Sequence, residues 1–391
     1  MNEAVRTYTF QTAGRIVAGR HALSGIGAHL REMGPVRRAL VVASGSAMRS
    51  GFVAEIEAQL AGEGVACDTL SGIVPEPTAD HIEELAARLA GEEHDVYIGI
   101  GGGSVLDATK LLAVRKTNDL PVGSMPGTDA IARDGVPTVL VPTTSGTGSE
   151  VTPNAIVTLP ERELKVGVVS RRLLPRLALL DPIVTVSQPR HVTAATGMDA
   201  FTHALESFIS NKANPFSDMA ALESIRKIAG GIVRAFRDGR DLEAREDMLV
   251  GSMYGGMALT AAGTAAVHAM AYPLGGKFGI PHGVANAMLL PHVMAFNLDR
   301  IADRLAAVAG AMGIGRSDGR TVAAAEKVVR QIEEWTALLE IPQDLGPFGV
   351  REEHIADLAV AAASVRRLMD NNPKPMTVDD IAGIYRRLLP G

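Results

Sequence analysis

Cysteine is nearly absent from this sequence, because Cys67 is the only one in 391 residues. A single cysteine excludes an internal disulfide and a metal cluster held by cysteines, so a reducing compartment suits the chain. No stretch approaches the roughly 18 uninterrupted apolar residues of a membrane span, and the first residues lack the apolar core of a secretory signal. We therefore expect a cytoplasmic protein that does not enter a membrane.

An excess of positive charge is also absent. The formal net charge is -6, charged residues make up 21% of the chain, and like charges form no long block. These features argue against nucleic acid or an anionic membrane surface as the main partner. The chain is long enough for two domains, and its apolar fraction of 47% can fill two cores.

The first half alternates short apolar runs with helix-like segments. Bounded runs rich in β-branched residues are typical of strands buried on both faces of a parallel sheet. Strands are predicted at 6–10, 15–18, 38–43, 66–70, 95–100 and 138–141, and helices at 23–33, 52–61 and 81–89. This alternation predicts βαβ units and an open, Rossmann-like parallel sheet in an α/β domain over residues 1–184.

Beyond residue 184, strand-like runs become scarce and helical spacing dominates. Helices are predicted at 194–209, 218–236, 242–259, 301–312 and 323–339, with ordinary loops such as 313–319 between them. Residues 185–391 are therefore expected to form a second, all-α domain.

Three glycines, Gly101, Gly102 and Gly103, follow the third of the buried strands. Consecutive glycines can adopt positive φ angles and let the backbone approach a ligand closely. Ser104 can cap the helix that follows, and Asp107 can complete the cap. The amides and dipole of such a helix start suit a pyrophosphate, whereas the structural alternative is only a tight, well-capped turn.

A second loop, 142–150, follows the next predicted strand and is rich in hydroxyl groups and glycines. The carboxyl ends of strands are where open parallel sheets bind ligands. Taken alone, this loop could be an exposed turn of serines and threonines. Two such loops at neighbouring strand ends suit one extended cofactor better than either loop alone.

Candidate metal ligands lie in the helical half. Asp199 and His203 are four residues apart in a helix-forming run, so their side chains share one face. His268 and His282 lie near glycine or proline turns, where a lone histidine is more often an ordinary core residue. Together the four side chains offer three nitrogens and one oxygen, with a position left for a substrate oxygen, as in catalytic metal sites. His292 is expected to precede a helix and to be structural.

These motifs together resemble the iron-containing, or group III, alcohol dehydrogenases. The segments 101–110, 142–150 and 197–206 and the two later histidines occur in the order and spacing of that family, over almost the whole chain. The resemblance implies a dehydroquinate-synthase-like fold with a cleft between two domains. It also implies NAD or NADP as cofactor, a divalent metal that is usually Fe²⁺ (with Zn²⁺ as an alternative), and a homodimer or larger homo-oligomer. The expected reaction interconverts a small primary alcohol and its aldehyde.

The resemblance also assigns roles to residues. The metal would be held by Asp199, His203, His268 and His282, which form the catalytic set together with Tyr272. The cofactor would contact Ser44, Gly101, Gly102, Gly103, Ser104, Asp107, Thr143, Thr144, Thr147 and Lys165. The substrate pocket would include Asn154, Leu259 and Leu368. An arginine beside the last of these, Arg366 or Arg367, could read a substrate carboxylate, although a solvated helix face is the simpler interpretation.

Three positions depart from the family pattern. Ser44 stands where many NAD-preferring members have an aspartate, which removes a charge that would repel the 2′-phosphate of NADP. Tyr272 stands where many have a histidine that is proposed to relay protons, and with a reference pKa of about 10 it is a poorer base at neutral pH. Leu259 replaces an aromatic that narrows the pocket in some relatives, so a roomier pocket is expected.

Other functions remain open at the level of sequence. A reductase of a carboxylate-bearing aldehyde or oxoacid is one, but the intact ligand set disfavours its metal-independent, maleylacetate-reductase form. A lyase of the dehydroquinate synthase type needs several cationic side chains near the metal, whereas segment 254–292 supplies only Lys277 besides its three histidines. A non-catalytic protein would need neither the cofactor loops nor the ligands.

Overall fold

The computed structural model describes residues 7–162, 164–315 and 321–390. Its strands are β1 (Ile16–Ala18), β2 (Arg38–Ala43), β3 (Ala66–Leu70), β4 (Val96–Gly101), β5 (Gly127–Thr128), β6 (Thr138–Pro142), β7 (Asn154–Leu159), β8 (Leu164–Val169) and β9 (Leu177–Leu180). Its helices are α1 (Ile26–Met33), α2 (Gly45–Arg49), α3 (Phe52–Gly62), α4 (Ala79–Arg88), α5 (Gly103–Thr117), α6 (Arg190–Ile209), α7 (Pro215–Arg237), α8 (Leu242–Ala262), α9 (Ala266–Phe278), α10 (His282–Ala311), α11 (Thr321–Leu338), α12 (Glu352–Ser364), α13 (Arg366–Met369) and α14 (Val378–Arg386).

Six strands form one parallel sheet in the order β1-β9-β6-β4-β2-β3. β4 and β6 are buried along their whole length, and apolar side chains fill a separate core on each face of the sheet. From β2 the chain first moves outward to β3 and then crosses back to β4, so the strand order reverses between β2 and β4. Open sheets bind ligands at such a reversal, outside the carboxyl ends of the strands.

The second half is built from helices around one large core. Its longest element, α10, has 30 residues and packs against α6, α9 and α11. Within the described ranges, no helix combines the length and apolarity needed to cross a bilayer. The predicted fold class, a parallel α/β part followed by a helical part, is confirmed. The division at residue 184 stays a prediction.

The predicted strands at 38–43, 66–70, 95–100 and 138–141 match β2, β3, β4 and β6 to within one residue. The predicted strand at 6–10 is wrong for residues 7–10, which have no regular structure. The helix predicted at 301–312 is only the last third of α10, because that helix begins at His282 and continues past Pro291. His292 therefore lies inside a helix. Part of the predicted loop 313–319 lies outside the described residues.

A hairpin of β7 and β8 follows the second loop, although no pattern considered above predicts it. The two strands pair antiparallel, and β5 joins β8 to complete a small second sheet. Alternate residues of β7 are buried in one of the two sheet cores. β8 lies against α9, so the hairpin carries residues of the first half toward the helical half.

Two glycines bring the halves into direct backbone contact. Gly148, at the end of the second loop, has a φ of 60° and lies against Gly256 in α8. A Cβ atom added to Gly256 would lie 2.7 Å from the carbonyl oxygen of Gly148, so any side chain there would force the halves apart. A small apolar cluster continues this contact, with Ala13, Val151, Ala178, Leu180, Leu249 and Met253.

Candidate metal and cofactor site

Four candidate ligands converge on one point between α6, α9 and α10. Asp199 and His203 project from α6, His268 from α9, and His282 from the first turn of α10, and their ligand atoms all lie within 4.8 Å of one another. The Oδ1 atom of Asp199 is 3.8 Å from Nε2 of His203 and 3.7 Å from Nε2 of both other histidines. These spacings leave room for one cation at bonding distances of about 2.1 Å.

Burial sets the protonation of these groups. Burial lowers the pKa of His203, and it lowers the pKa of His282 to about 3, so both imidazoles are neutral and each keeps a lone pair that can face a cation or a hydrogen-bond donor. Burial alone would raise the pKa of Asp199, but the three facing imidazoles and the Asn286 amide lower it overall. Three imidazole nitrogens and one carboxylate are a donor set that divalent first-row metals accept, so the residues present fit a metal ion.

Glu206 orients His268 from behind. Its carboxylate is fully buried, and Oε2 lies 2.6 Å from Nδ1 of His268. The same carboxylate accepts hydrogen bonds from the backbone N–H groups of Ala265 (3.0 Å) and Val267 (2.6 Å). A proton held on Nδ1 leaves Nε2 as the ligand atom. Glu206 was not singled out above, although Asp199, His203 and Glu206 follow the i, i+4, i+7 spacing of one helix face.

The two cofactor loops, the glycine run 101–103 and the second loop 142–150, form one continuous surface. A Cβ atom added to Gly103 would lie 2.5 Å from the Thr147 side chain, so the glycine lets the loops touch. Thr143 donates its backbone N–H to the carbonyl of Gly101 (2.9 Å), and Thr144 lies beside Gly102. The expected positive φ angles at these three glycines are wrong, since none of them has one. Gly101 and Gly103 instead allow close approach, because a Cβ atom there would lie 2.7 Å from the Val105 side chain and 2.5 Å from the Thr147 side chain, respectively.

Ser104 and Asp107 do not cap α5 as predicted. The first helical turn has a glycine at its N-cap and no side-chain cap, while Ser104 Oγ accepts a hydrogen bond from the backbone N–H of Glu76 (3.0 Å). Asp107 lies one turn further along, where its carboxylate faces the second loop. It accepts hydrogen bonds from Ser149 Oγ (2.5 Å) and the N–H of Ile156 (3.0 Å). Because no side chain caps the start of α5, its first backbone N–H groups are available to bind a phosphate.

Lys110 fastens the second loop to α5, a role that the sequence analysis missed. The side chain is 1% exposed, and Nζ donates to the carbonyls of Ser149 (2.7 Å), Thr152 (3.2 Å) and Asn154 (2.5 Å). Nζ also lies 3.5 Å from the Asp107 carboxylate, three residues back on the helix. This clamp fixes the start of β7.

A cavity of about 370 Å³ opens beside the four ligands. Its wall includes Thr147 from the second loop, Asn154 from the hairpin, Leu259 from α8 and Arg367 from α13. Leu368 is buried behind Tyr272 instead, because adjacent residues of a helix point in different directions. A second cavity of about 390 Å³ lies at the opposite, amino ends of β4 and β6, away from both loops.

Tyr272 stands on the cavity wall next to His282, with ring centroids 5.9 Å apart. Burial raises the pKa of Tyr272, although a hydrogen bond from the Arg367 guanidinium opposes this. The phenol therefore keeps its proton at neutral pH, so it can donate a hydrogen bond into the cavity and is a poor base.

Lys165 and Ser44 lie at the two ends of the expected cofactor path. Lys165 is 4% exposed, and its Nζ lies 2.5 Å from Glu76 Oε1, beneath Gly275 of α9. Ser44 follows β2 and donates its N–H to the carbonyl of Ile100 (3.0 Å), immediately before the glycine run. Its Oγ accepts the N–H of Ala47 (3.1 Å) and so caps α2.

Comparisons with known proteins agree along the whole chain. A family model described as iron-containing alcohol dehydrogenase matches residues 13–182, and one described as the C-terminal part of the Fe-containing alcohol dehydrogenase family matches residues 193–389. A long-chain-alcohol dehydrogenase of Geobacillus thermodenitrificans is 38% identical over 95% of this chain and 94% of its own. The NAD-dependent methanol dehydrogenase of Bacillus methanolicus is 32% identical over 95% of this chain and 97% of its own. A crystal structure of 1,3-propanediol oxidoreductase is 34% identical and superposes with a TM-score of 0.93, over 98% of this chain and 100% of its own.

The substitution Glu206→Gln should weaken metal binding by about 10- to 100-fold, because the neutral amide no longer holds the proton on His268 Nδ1 as firmly. The dissociation constant for Zn²⁺, measured by competition with a chelator, checks this. Glu223→Gln, in an exposed ion pair on α7, is the control and should leave that constant unchanged. Equal constants for Glu206→Gln and the wild type would contradict the role given to Glu206.

Proposed function

We propose, from the fact that the chain belongs to the iron-containing alcohol dehydrogenase family, that its four-ligand site catalyses the interconversion of a small primary alcohol and its aldehyde. One observation carries the assignment of residues. The cavity beside Asp199, His203, His268 and His282 is also lined by Thr147 of the second cofactor loop, so a metal-bound substrate and a nicotinamide would meet there. Relatives named for alcohol, methanol and propanediol oxidation support this reaction.

The chain supplies the setting for hydride transfer. A divalent cation in the four-ligand site would act as a Lewis acid on the substrate oxygen, while the nicotinamide would carry the hydride. Tyr272 keeps its proton at the cavity wall, where its hydroxyl can donate a hydrogen bond to that oxygen. Leu259 and Asn154 bound the space for the carbon chain, and the buried wall limits the access of water.

His268→Ala should lose metal and turnover together, with kcat/KM reduced more than about 100-fold, because a buried ligand is removed. The assay follows the absorbance of NADH and NADPH with a panel of aldehydes, after loading with Fe²⁺ or Zn²⁺, and metal analysis is run in parallel. His292→Ala, in the middle of α10, is the matched control and should keep both metal and activity. Full activity after removal of the metal with a chelator would defeat the proposal.

The groups around Ser44 suit binding of NADP as well as NAD. A Cβ atom on Gly45 would lie 3.1 Å from Nη1 of Arg49, so the guanidinium folds back over the loop. The hydroxyls of Ser44 and Ser46 lie 3.0 Å apart at the same place. Two hydroxyls and a guanidinium are groups that bind a phosphate, and the acidic side chain that would repel one is replaced by Ser44.

Ser44→Asp should shift the preference toward NADH by at least about tenfold in the ratio of kcat/KM values, because its charge repels the 2′-phosphate. Steady-state kinetics with both reduced cofactors measure that ratio. Ser50→Asp, at the far end of α2, adds the same charge outside the pocket and should leave the ratio close to that of the wild type. If the ratio of kcat/KM values for NADH and NADPH is unchanged in Ser44→Asp, the proposal that Ser44 permits NADP binding is wrong.

A second candidate function is reduction of an aldehyde that also carries a carboxylate. Arg367 favours it, because this guanidinium lines the cavity and its neighbour on α13, Arg366, forms an ion pair with Asp370 instead. A guanidinium that faces a substrate cavity can bind a carboxylate through two parallel hydrogen bonds.

Arg367→Leu should raise the KM for a four-carbon aldehyde with a terminal carboxylate by about tenfold or more, and should hardly change the KM for butanal. Arg366→Leu is the matched control, since it removes the same charge one position away and should affect neither KM. If Arg367→Leu changes the two KM values equally, the cavity has no carboxylate subsite and neutral aldehydes remain the proposed substrates.

Assembly and location also belong to this proposal. We propose a homodimer or larger homo-oligomer in the cytoplasm, acting on small molecules and without nucleic-acid or membrane partners. The negative net charge supports the absence of nucleic-acid and membrane partners, the single cysteine suits a reducing compartment, and the oligomer rests on the resemblance to the family alone.

A further inference from the structure

Asn286 lies against the ligand set although it carries no charge. It stands one helical turn after His282 on α10 and is completely buried. Its Nδ2 atom lies 2.7 Å from Oδ1 of Asp199, and 3.2 Å from Nε2 of both His268 and His282. Its Oδ1 atom is buried and makes no hydrogen bond within the described part of the chain. One amide nitrogen therefore faces three of the four ligand atoms.

The chemistry of the three facing atoms fixes the direction of the amide. They are a carboxylate oxygen and two imidazole nitrogens whose lone pairs point at the same place. If the amide were turned round, its oxygen would face three acceptors at these short distances, and all four groups would repel one another. With Nδ2 inward, the N–H groups present positive partial charge where a cation would sit. This contact outweighs the cost of leaving Oδ1 without a partner.

We propose that Asn286 is a positioning residue that takes over part of the cation's role in the metal-free protein and gives up part of it when a metal binds. This inference rests on the metal site of the proposed function. The lone pairs of His268 and His282 can be shared with the amide or bound to a metal, but not both. The hydrogen bond to Asp199 can persist, since a carboxylate oxygen has a second lone pair. Asn286 therefore stabilises the metal-free site more than the loaded one.

Asn286→Leu tests this, because leucine has a similar volume and no donor. The probe is Zn²⁺ alone, which does not change redox state, and the readouts are the Tm with and without Zn²⁺ and the dissociation constant from chelator competition. We expect the metal-free Tm to fall, the rise in Tm on adding Zn²⁺ to exceed that of the wild type, and the Zn²⁺ affinity to increase by at least about fivefold, because the competing contacts are gone.

The matched control is Asn297→Leu on the same helix. Asn297 is also completely buried, and its Nδ2 donates to Oδ1 of Asn372 (3.0 Å), well away from the ligands. This change should lower the Tm equally with and without Zn²⁺ and leave the affinity unchanged. Asn286→Ser, which keeps one donor, covers the case in which Asn286→Leu folds in neither state, and should show the same changes at smaller size.

Two results would overturn the inference while the metal site stands. A Zn²⁺ affinity that falls tenfold in Asn286→Leu would show that Asn286 stabilises the loaded site more than the metal-free one. If Zn²⁺ raises the Tm of Asn286→Leu by the same amount as that of the wild type, Asn286 contributes only to packing. If the wild type itself shows no rise and binds no Zn²⁺, the metal site fails, and the proposed function fails with it.

Discussion

The structure depends on holding one carboxylate and three imidazole lone pairs together inside apolar helices. Such acceptors repel one another and lose their water on burial, so neighbouring groups must hold them in place. Glu206 holds His268 through its far nitrogen, and the Asn286 amide faces the carboxylate. Gly283 contributes by having no side chain, since a Cβ there would collide with the backbone of α6 at Ala195 and push His282 away.

The two cofactor loops depend on a different constraint, which is that their backbones approach each other closely. The reversal of strand order between β2 and β4 opens a crevice at their carboxyl ends, and both loops and Ser44 border it. Because glycines replace side chains where the loops meet, the helix start of α5 is bare. Lys110 then ties the second loop to that helix, so the two loops keep one arrangement.

Local patterns in the sequence predicted much of this, and their failures have physical causes. Four strands were located to within one residue, because short, bounded apolar runs are typical of strands buried in a parallel sheet. The caps assigned to Ser104 and Asp107 were wrong, since Glu76 and the second loop, distant in sequence, offer these side chains other partners. Spacing placed Asp199 and His203 on one face, and the donor chemistry suggested a site shared with His268 and His282, which the resemblance to the family then supported. Asn286 followed His282 by one turn, yet an uncharged side chain gave no signal.

The contact of Gly148 with Gly256 lies between the half that carries the metal ligands and the half that carries the cofactor loops. All four metal ligands come from α6, α9 and α10, whereas the glycine loop, the second loop and Ser44 come from the first half. A tilt of one half against the other would leave the metal ligands in place and would move the cofactor loops relative to them, together with the cavity that both halves line. Beside this backbone contact, the apolar cluster that includes Val151 and Leu249 packs side chains of the two halves against each other. The geometry of the metal ligands is thus set within the helical half, whereas the alignment of the cofactor loops with those ligands depends on how the two halves pack.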